Sequence, residues 1–137
     1  MVVTLDFTIP ARLDQIPDVA LMIEKYMQTG GFSSHEILDI QLAIEETLTN
    51  IIDHGYRGKA GQVTFCGSID TDLLTLEISD TSPEFNPLHV SDPDISAPLG
   101  DRKEGGLGVY LIRQVTDSVT YRYDNGKNIL TVTKKKK

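Results

Sequence analysis

One cysteine, Cys66, is the whole thiol content of the chain. No disulfide can form within it, which suits a reducing cytoplasm. Positive charge is scarce as well: 13 Lys and Arg stand against 20 Asp and Glu, a formal net charge of −7. That balance excludes a general nucleic-acid binder, because phosphate-backbone binding wants a basic surface. No apolar run approaches the roughly 18 residues of a membrane span. The N-terminus has no charged start leading into an apolar core, so no signal peptide is expected. Internal repeats and low-complexity linkers are also missing.

What is there is ordinary for a soluble globular protein: 39% hydrophobic and 24% charged residues in a chain of 137. The length is that of one domain. We expect a single domain over residues 1–133 and a solvated, disordered basic tail over 134–137. Cys66 lies among strand-like residues and is expected to be a small buried hydrophobe.

Periodicity sets the order of elements. Val2 to Ile9 alternates as a strand, and Pro10 ends it. Leu13, Ile16, Val19, Ala20, Ile23 and Met27 have helical spacing over residues 12–29. Gly30-Gly31 stops that helix, and Ser33 or Ser34 caps the next. The second helix is predicted over about 35–54, with Ile37, Ile40, Ile44, Leu48 and Ile51 as its apolar stripe. Two strands follow, "GQVTFCGSID" and "DLLTLEISD", with a turn near 70–72. Residues 81–104 hold four prolines and little periodicity, the signature of a functional loop or lid. A third helix carries Val109, Leu111, Ile112 and Val115. "SVTYRY" and "NILTVT" flank Asn125-Gly126, a strong hairpin signal. This order reads as α+β with a mostly antiparallel sheet.

Three stretches carry chemistry. In "EGGLGVYLIRQV" (104–115), glycines open a helix whose first N–H groups are unpaired and whose end is partially positive; this can cradle phosphate. A loop-to-helix joint that merely needs glycine geometry is the plainer reading. In "EETLTNIIDHGY" (45–56), Glu46 and Asn50 stack on one helix face, opposite the apolar stripe. An Asn oxygen is a hard ligand suited to Mg²⁺, and Glu46 one turn away can accept a proton from an attacking hydroxyl or water. A solvated helix face is the alternative. Glu45 points about 100° away and is the weaker candidate. His54 borders the site and is read as structural. In "LEISDTSPEFNP" (76–87), Asp80 ends a strand, and its carboxylate suits an adenine amine as donor. A turn-capping Asp is the alternative.

Taken in order, these stretches resemble the anti-sigma-factor serine kinases of bacterial stress and sporulation regulons, within the wider gyrase, chaperone, histidine-kinase and mismatch-repair class of ATP-binding domains. The resemblance runs from Val2 to about Thr133. The Glu-x-x-Thr-Asn-x-x-x-His-Gly-Tyr run is its most specific part, and "GGLGVYLI" the next. It implies a two-layer α/β sandwich of the Bergerat type, with a mixed, mostly antiparallel sheet covered on one face by helices. It implies an ATP- and Mg²⁺-dependent protein serine/threonine kinase in the cytoplasm. Glu46 would be the catalytic base, Asn50 the Mg²⁺ ligand and Asp80 the adenine contact. Gly105, Gly106, Leu107 and Gly108 would hold the phosphates, Arg102 or Lys103 would pair with the β- or γ-phosphate, and Thr131 would close the adenine pocket. The implied partners are an anti-anti-sigma (STAS-type) protein that is phosphorylated and an alternative sigma factor that is sequestered; a homodimer is left open. The alternative function is an ATP-binding regulatory module that does not phosphorylate. One departure stands out: many relatives have Asp-x-Gly-x-Gly where this chain has Asp80-Thr81-Ser82-Pro83-Glu84, which predicts a stiffer loop beside adenine.

Overall fold

The structure, a computed structural model, describes residues 2–89 and 106–137. Strand β1 (Val2–Pro10) leads through a short 3-10 turn (Leu13–Gln15) into helix α1 (Ile16–Thr29). Helix α2 (Ser34–Asn50) follows and passes into one π-helical turn (Ile51–Gly55). Then come β2 (Gln62–Asp70), β3 (Leu73–Asp80), a 3-10 turn (Pro87–His89), α3 (Gly106–Val115), β4 (Ser118–Asp124) and β5 (Lys127–Lys135). The strands form one sheet in the order β1-β2-β3-β5-β4, and every described pairing is antiparallel. The expected α+β sandwich is therefore present, without the parallel pairing that a mixed sheet would need.

Local chemistry explains the boundaries. The Ser33 side chain accepts from Glu36 N–H while the Glu36 carboxylate accepts from Ser33 N–H, a reciprocal cap that fixes the start of α2. Asn125 and Gly126 both take positive φ (51° and 76°), the geometry of a tight two-residue hairpin between β4 and β5. Pro17, in the first turn of α1, suits the start of a helix rather than its middle, so α1 begins later than the apolar spacing alone suggests.

The core lies between the sheet and the helices. Val63, Phe65 and Ile69 of β2, Leu74, Leu76 and Ile78 of β3, and Leu130 and Val132 of β5 pack against Val19, Ile23 and Met27 of α1 and Ile40, Ile44 and Leu48 of α2. The other face of the sheet is polar. This one-sided burial overturns two expectations. Cys66 is exposed: it falls between the inward Phe65 and Gly67, on the open face opposite Asp6 and Glu77. The basic tail is not a solvated appendage. Lys134 and Lys135 continue β5, and Lys134, at 8% exposure, shares the inward parity of Leu130 and Val132. Its ammonium donates to Asp39 of α2 and to the Val115 carbonyl at the end of α3, each at 2.9 Å. Lys136 and Lys137 also bond back, to the Gly30 carbonyl and to Glu36. No helix among the described residues is long and apolar enough to cross a membrane.

Candidate functional site

The end of α2, the end of β3 and the start of β5 meet at one place, because β3 and β5 are neighbours with Asp80 opposite Asn128. Between them and α3 lies a narrow cavity. Thr47 and Asn50 line it from α2, Ile51 from the π turn, Asp80 from β3, Ile112 from α3 and Leu130 from β5. Its walls are mainly apolar, with a few convergent polar groups, as small-molecule sites commonly are.

The Glu46–Asn50 face of α2 is not a solvated surface. Both residues are half-buried. Glu46 lies against the first turn of α3, where a Cβ on Gly108 would stand 2.7 Å from Glu46 Oε2. The Glu46 carboxylate has no hydrogen-bond partner among the described residues. Burial, with the adjacent Glu45 charge, raises its pKa above the ordinary 4.5. Asn50 lines the cavity, and its carboxamide likewise has no partner among the described residues.

Directly after Asn50 the helix widens. Tyr56 N–H donates to Ile51 O (2.8 Å), five residues back, and Gly58 N–H donates to Ile52 O (3.1 Å). Such π turns are common at functional sites. This one delivers Tyr56 to the far side of β3. Its hydroxyl donates to Gln62 O (2.6 Å) and accepts from Thr81 N–H (3.0 Å), so it holds the residue after Asp80 in place. His54 is exposed and lies over Phe85 with ring centroids 6.0 Å apart, at the rim of the cavity.

Asp80 is 6% exposed. Its Oδ1 accepts from Ser82 N–H (2.9 Å), from the Ser82 hydroxyl and from Asn128 Nδ2 (3.0 Å). Asn128 is tied down in turn by Tyr121, whose hydroxyl donates to Asn128 Oδ1 at 2.6 Å. Burial, then the charges of Glu84 and Asp80, raise the Tyr121 pKa above 10.0, which keeps that hydroxyl a donor.

The structure therefore brings Asn50 and Asp80 onto one cavity, with Glu46 one helical turn from Asn50 and against α3. Gly106, Leu107 and Gly108 form the first turn of α3, as expected of glycines opening a helix. Arg102, Lys103 and Gly105 lie outside the described residues. Thr131 does not line the cavity. It sits on the open face of the sheet, opposite Glu77 and Thr120, because its neighbours Leu130 and Val132 point inward. The residues of β5 that reach the cavity are Asn128 and Leu130.

Asn128, Ser82 and Tyr56 were not assigned roles from the sequence. A signal for Asn128 existed: it shares strand parity with Leu130 and Val132, so the register that turns those residues inward turns Asn128 inward too. Among the described residues no three of His, Cys, Asp or Glu cluster as a metal-holding group. Mg²⁺ needs no such cluster, since it commonly takes one or two protein ligands together with phosphate oxygens and water. The unpartnered Asn50 oxygen on the cavity wall fits that pattern.

Residues 9–134 match the histidine kinase-like ATPase domain. The chain is 31% identical over 130 residues to a serine-protein kinase RsbW of Bacillus cereus (strain AH187), covering 92% of this chain and 81% of that one. A serine-protein kinase RsbW of Bacillus mycoides (strain KBAB4) is 28% identical with the same coverage, 92% and 81%. Among solved structures, the RsbU and RsbW domains of Rv1364c from Mycobacterium tuberculosis superpose with a TM-score of 0.70 at 15% identity, covering 98% of this chain. This chain spans 32% of that longer one, and the likeness speaks for the fold alone.

Proposed function

Since this chain belongs to the histidine kinase-like ATPase domain family, and within it to the RsbW serine-protein kinases, we propose that it is a cytoplasmic ATP-dependent kinase that phosphorylates a serine on a protein partner. The observation that carries this reading is that Asn50 and Asp80 line one cavity while Glu46, half-buried and without a hydrogen-bond partner among the described residues, lies one helical turn from Asn50. Phosphoryl transfer asks for positioning and electrostatics, and little covalent work, from the protein.

In this reading Asp80 accepts from the adenine amine at the apolar end of the cavity. The unpaired N–H groups of the first turn of α3, from Gly106 to Gly108, take the phosphate oxygens, and Gly105 with Arg102 or Lys103 completes that side. Asn50 would hold Mg²⁺; what the ion supplies when bound is charge neutralisation across the phosphates. Glu46 receives the substrate serine hydroxyl, orients its oxygen toward the γ-phosphorus and takes its proton. A carboxylate with a raised pKa and no competing partner among the described residues suits that task. The partner is read as an anti-anti-sigma protein of the STAS type, and the same domain as a sequestering partner of an alternative sigma factor.

The test is direct. The purified chain is incubated with labelled ATP, Mg²⁺ and candidate anti-anti-sigma proteins, and the product is examined for phosphoserine. Transfer should fall about 10²- to 10⁴-fold in Glu46→Gln while ATP binding persists. A Glu46→Gln protein that phosphorylates at the normal rate would show that the base lies elsewhere, and ATP binding without transfer to any candidate would favour the non-phosphorylating module.

A further inference from the structure

A carboxamide offers two N–H donors and one oxygen with two lone pairs. Asn128, 6% exposed, uses both ends. Its Oδ1 accepts from Tyr121 hydroxyl (2.6 Å) and Phe85 N–H (3.0 Å). Its Nδ2 donates to Asp80 Oδ1 (3.0 Å) and to Ser82 O (3.0 Å). Turning the amide over would set its NH₂ against the Phe85 donor and its oxygen against two acceptors, so one orientation is enforced. Ser82, at the first of the two positions where many relatives have glycine, adds its N–H and its hydroxyl to the same Asp80 oxygen. Gly55 makes room for this: a Cβ there would lie 2.6 Å from Ser82 Oγ.

Three donors thus converge on Asp80 Oδ1, while Oδ2 takes none among the described residues. No side-chain polar atom among the described residues is both fully buried and unpaired. Oδ2 therefore opens onto the cavity that Asp80 lines. The terminal torsion of an aspartate is ordinarily broad and two-fold. Pinning one oxygen removes that freedom and leaves a single fixed acceptor facing the base.

We propose that Ser82 and Asn128 are positioning residues that lock Asp80 with one oxygen presented to the nucleobase, and that this lock sets the preference for a purine carrying an exocyclic amine. The proposal rests on the reading of the cavity as an ATP site. A base without the amine leaves Oδ2 unpaired. A free carboxylate escapes that penalty by turning toward water; a pinned one does not.

The experiment is calorimetry on the whole chain with ATP and with purine riboside triphosphate, which has hydrogen in place of the amine. The variants are Ser82→Gly, Asn128→Ala and Asp80→Asn. The wild type should prefer ATP by roughly ten- to a hundredfold, the worth of one acceptor left unpaired. In Ser82→Gly that ratio should shrink several-fold, with the analogue bound at least as tightly as by the wild type; a purely structural role for Ser82 would weaken both ligands together. Asn128→Ala should shrink the ratio further, and Ser82→Gly decides the matter if Asn128→Ala does not fold. A folded Ser82→Gly protein with the wild-type ratio overturns the lock. A wild-type protein that binds both ligands equally overturns base recognition by Asp80 and the lock with it, and one that binds neither overturns the ATP-site reading itself.

Discussion

Glu46 and Gly108 share one space: the glutamate's Oε2 occupies ground where a Cβ on residue 108 would stand 2.7 Å away. In the proposed reading the glycine thus has a second use besides exposing backbone to phosphate. It lets α3 approach α2 closely enough to seat the carboxylate at the start of α3. Replacing a helical glycine by alanine ordinarily gains up to about 1 kcal/mol. Gly108→Ala should show little of that gain, because Glu46 must move. Displacing a reacting group by about 1 Å can cost about a hundredfold in rate. We expect Gly108→Ala to bind ATP with nearly normal affinity and to transfer phosphate at least about tenfold more slowly. Calorimetry and single-turnover transfer measure the two. A variant with a higher melting temperature and normal transfer would show that Glu46 does not depend on this contact.

The raised pKa of Glu46 makes a stability prediction of definite sign. A group with a raised folded pKa contributes stability that is fully present below its unfolded value, near 4.5, and is lost as pH rises through the folded value. At pH 7 the folded wild type therefore bears a partly desolvated charge, beside that of Glu45, that Glu46→Gln does not. The glutamine variant should melt higher than the wild type at pH 7, and the gap should narrow as pH falls toward 4.5. Urea melts across that range measure it. A constant gap, or one that widens toward acid, contradicts the assigned cause. By the same argument, the acid limb of the transfer rate should lie above that of an ordinary glutamate.

Glu46, Asn50 and Asp80 were legible in the sequence because each sits at a place that simple geometry fixes. Two are four apart on a strongly patterned helix, and the third ends an alternating strand. The hairpin at Asn125-Gly126 was legible for the same local reason. Cys66 and Lys134 were misjudged because composition says nothing about which face of a sheet is covered. Lys134 lies inside only because Asp39 and the end of α3 arrive there from distant parts of the chain. Thr131 was chosen by family position, whereas the parity of Leu130 and Val132 places it outward. The π turn was hidden because its sequence, Ile51 to Gly55, continues a helical pattern. Only its bonds to the fifth residue back, such as Tyr56 N–H to Ile51 O, distinguish it.

Tyr56 offers a test of how the strand end behind Asp80 is held. Its hydroxyl donates to Gln62 O and accepts from Thr81 N–H, so Tyr56→Phe leaves a main-chain donor and a main-chain acceptor without their partner. The cost should be about 1–3 kcal/mol of stability, since unsatisfied groups cost more than a net hydrogen bond gains. Because Thr81 adjoins Asp80, ATP affinity should fall in the protein that remains folded. Chemical denaturation and calorimetry read the two effects. Lost stability with unchanged affinity would confine Tyr56 to the scaffold.

Lys134 ties the far end of α3 to α2, and its removal should be felt at both. The ammonium donates to Asp39 Oδ2 and to the Val115 carbonyl, both at 2.9 Å, with side-chain exposures of 10% for Lys134 and 19% for Asp39. Lys134→Met keeps the aliphatic stem but leaves Asp39 with only the exposed His35 imidazole, 3.8 Å away, beside its charge, and the last turn of α3 without this ammonium. Hydrogen bonds to charged groups are worth about 1.5–3 kcal/mol, so a loss of about 2 kcal/mol is expected. Asp39→Asn should cost less, because the Val115 carbonyl still receives the ammonium and the asparagine oxygen still accepts. The double variant Lys134→Met with Asp39→Leu should recover part of the loss, since an apolar pair of similar size removes both charges together. Urea denaturation of wild type, Lys134→Met, Asp39→Leu and the double variant closes the cycle, with Asp39→Asn measured beside it. Equal stability of Lys134→Met and wild type would mean that the lysine is a solvated tail after all. A loss that the double variant does not relieve would place the contribution in the Val115 contact rather than in the ion pair.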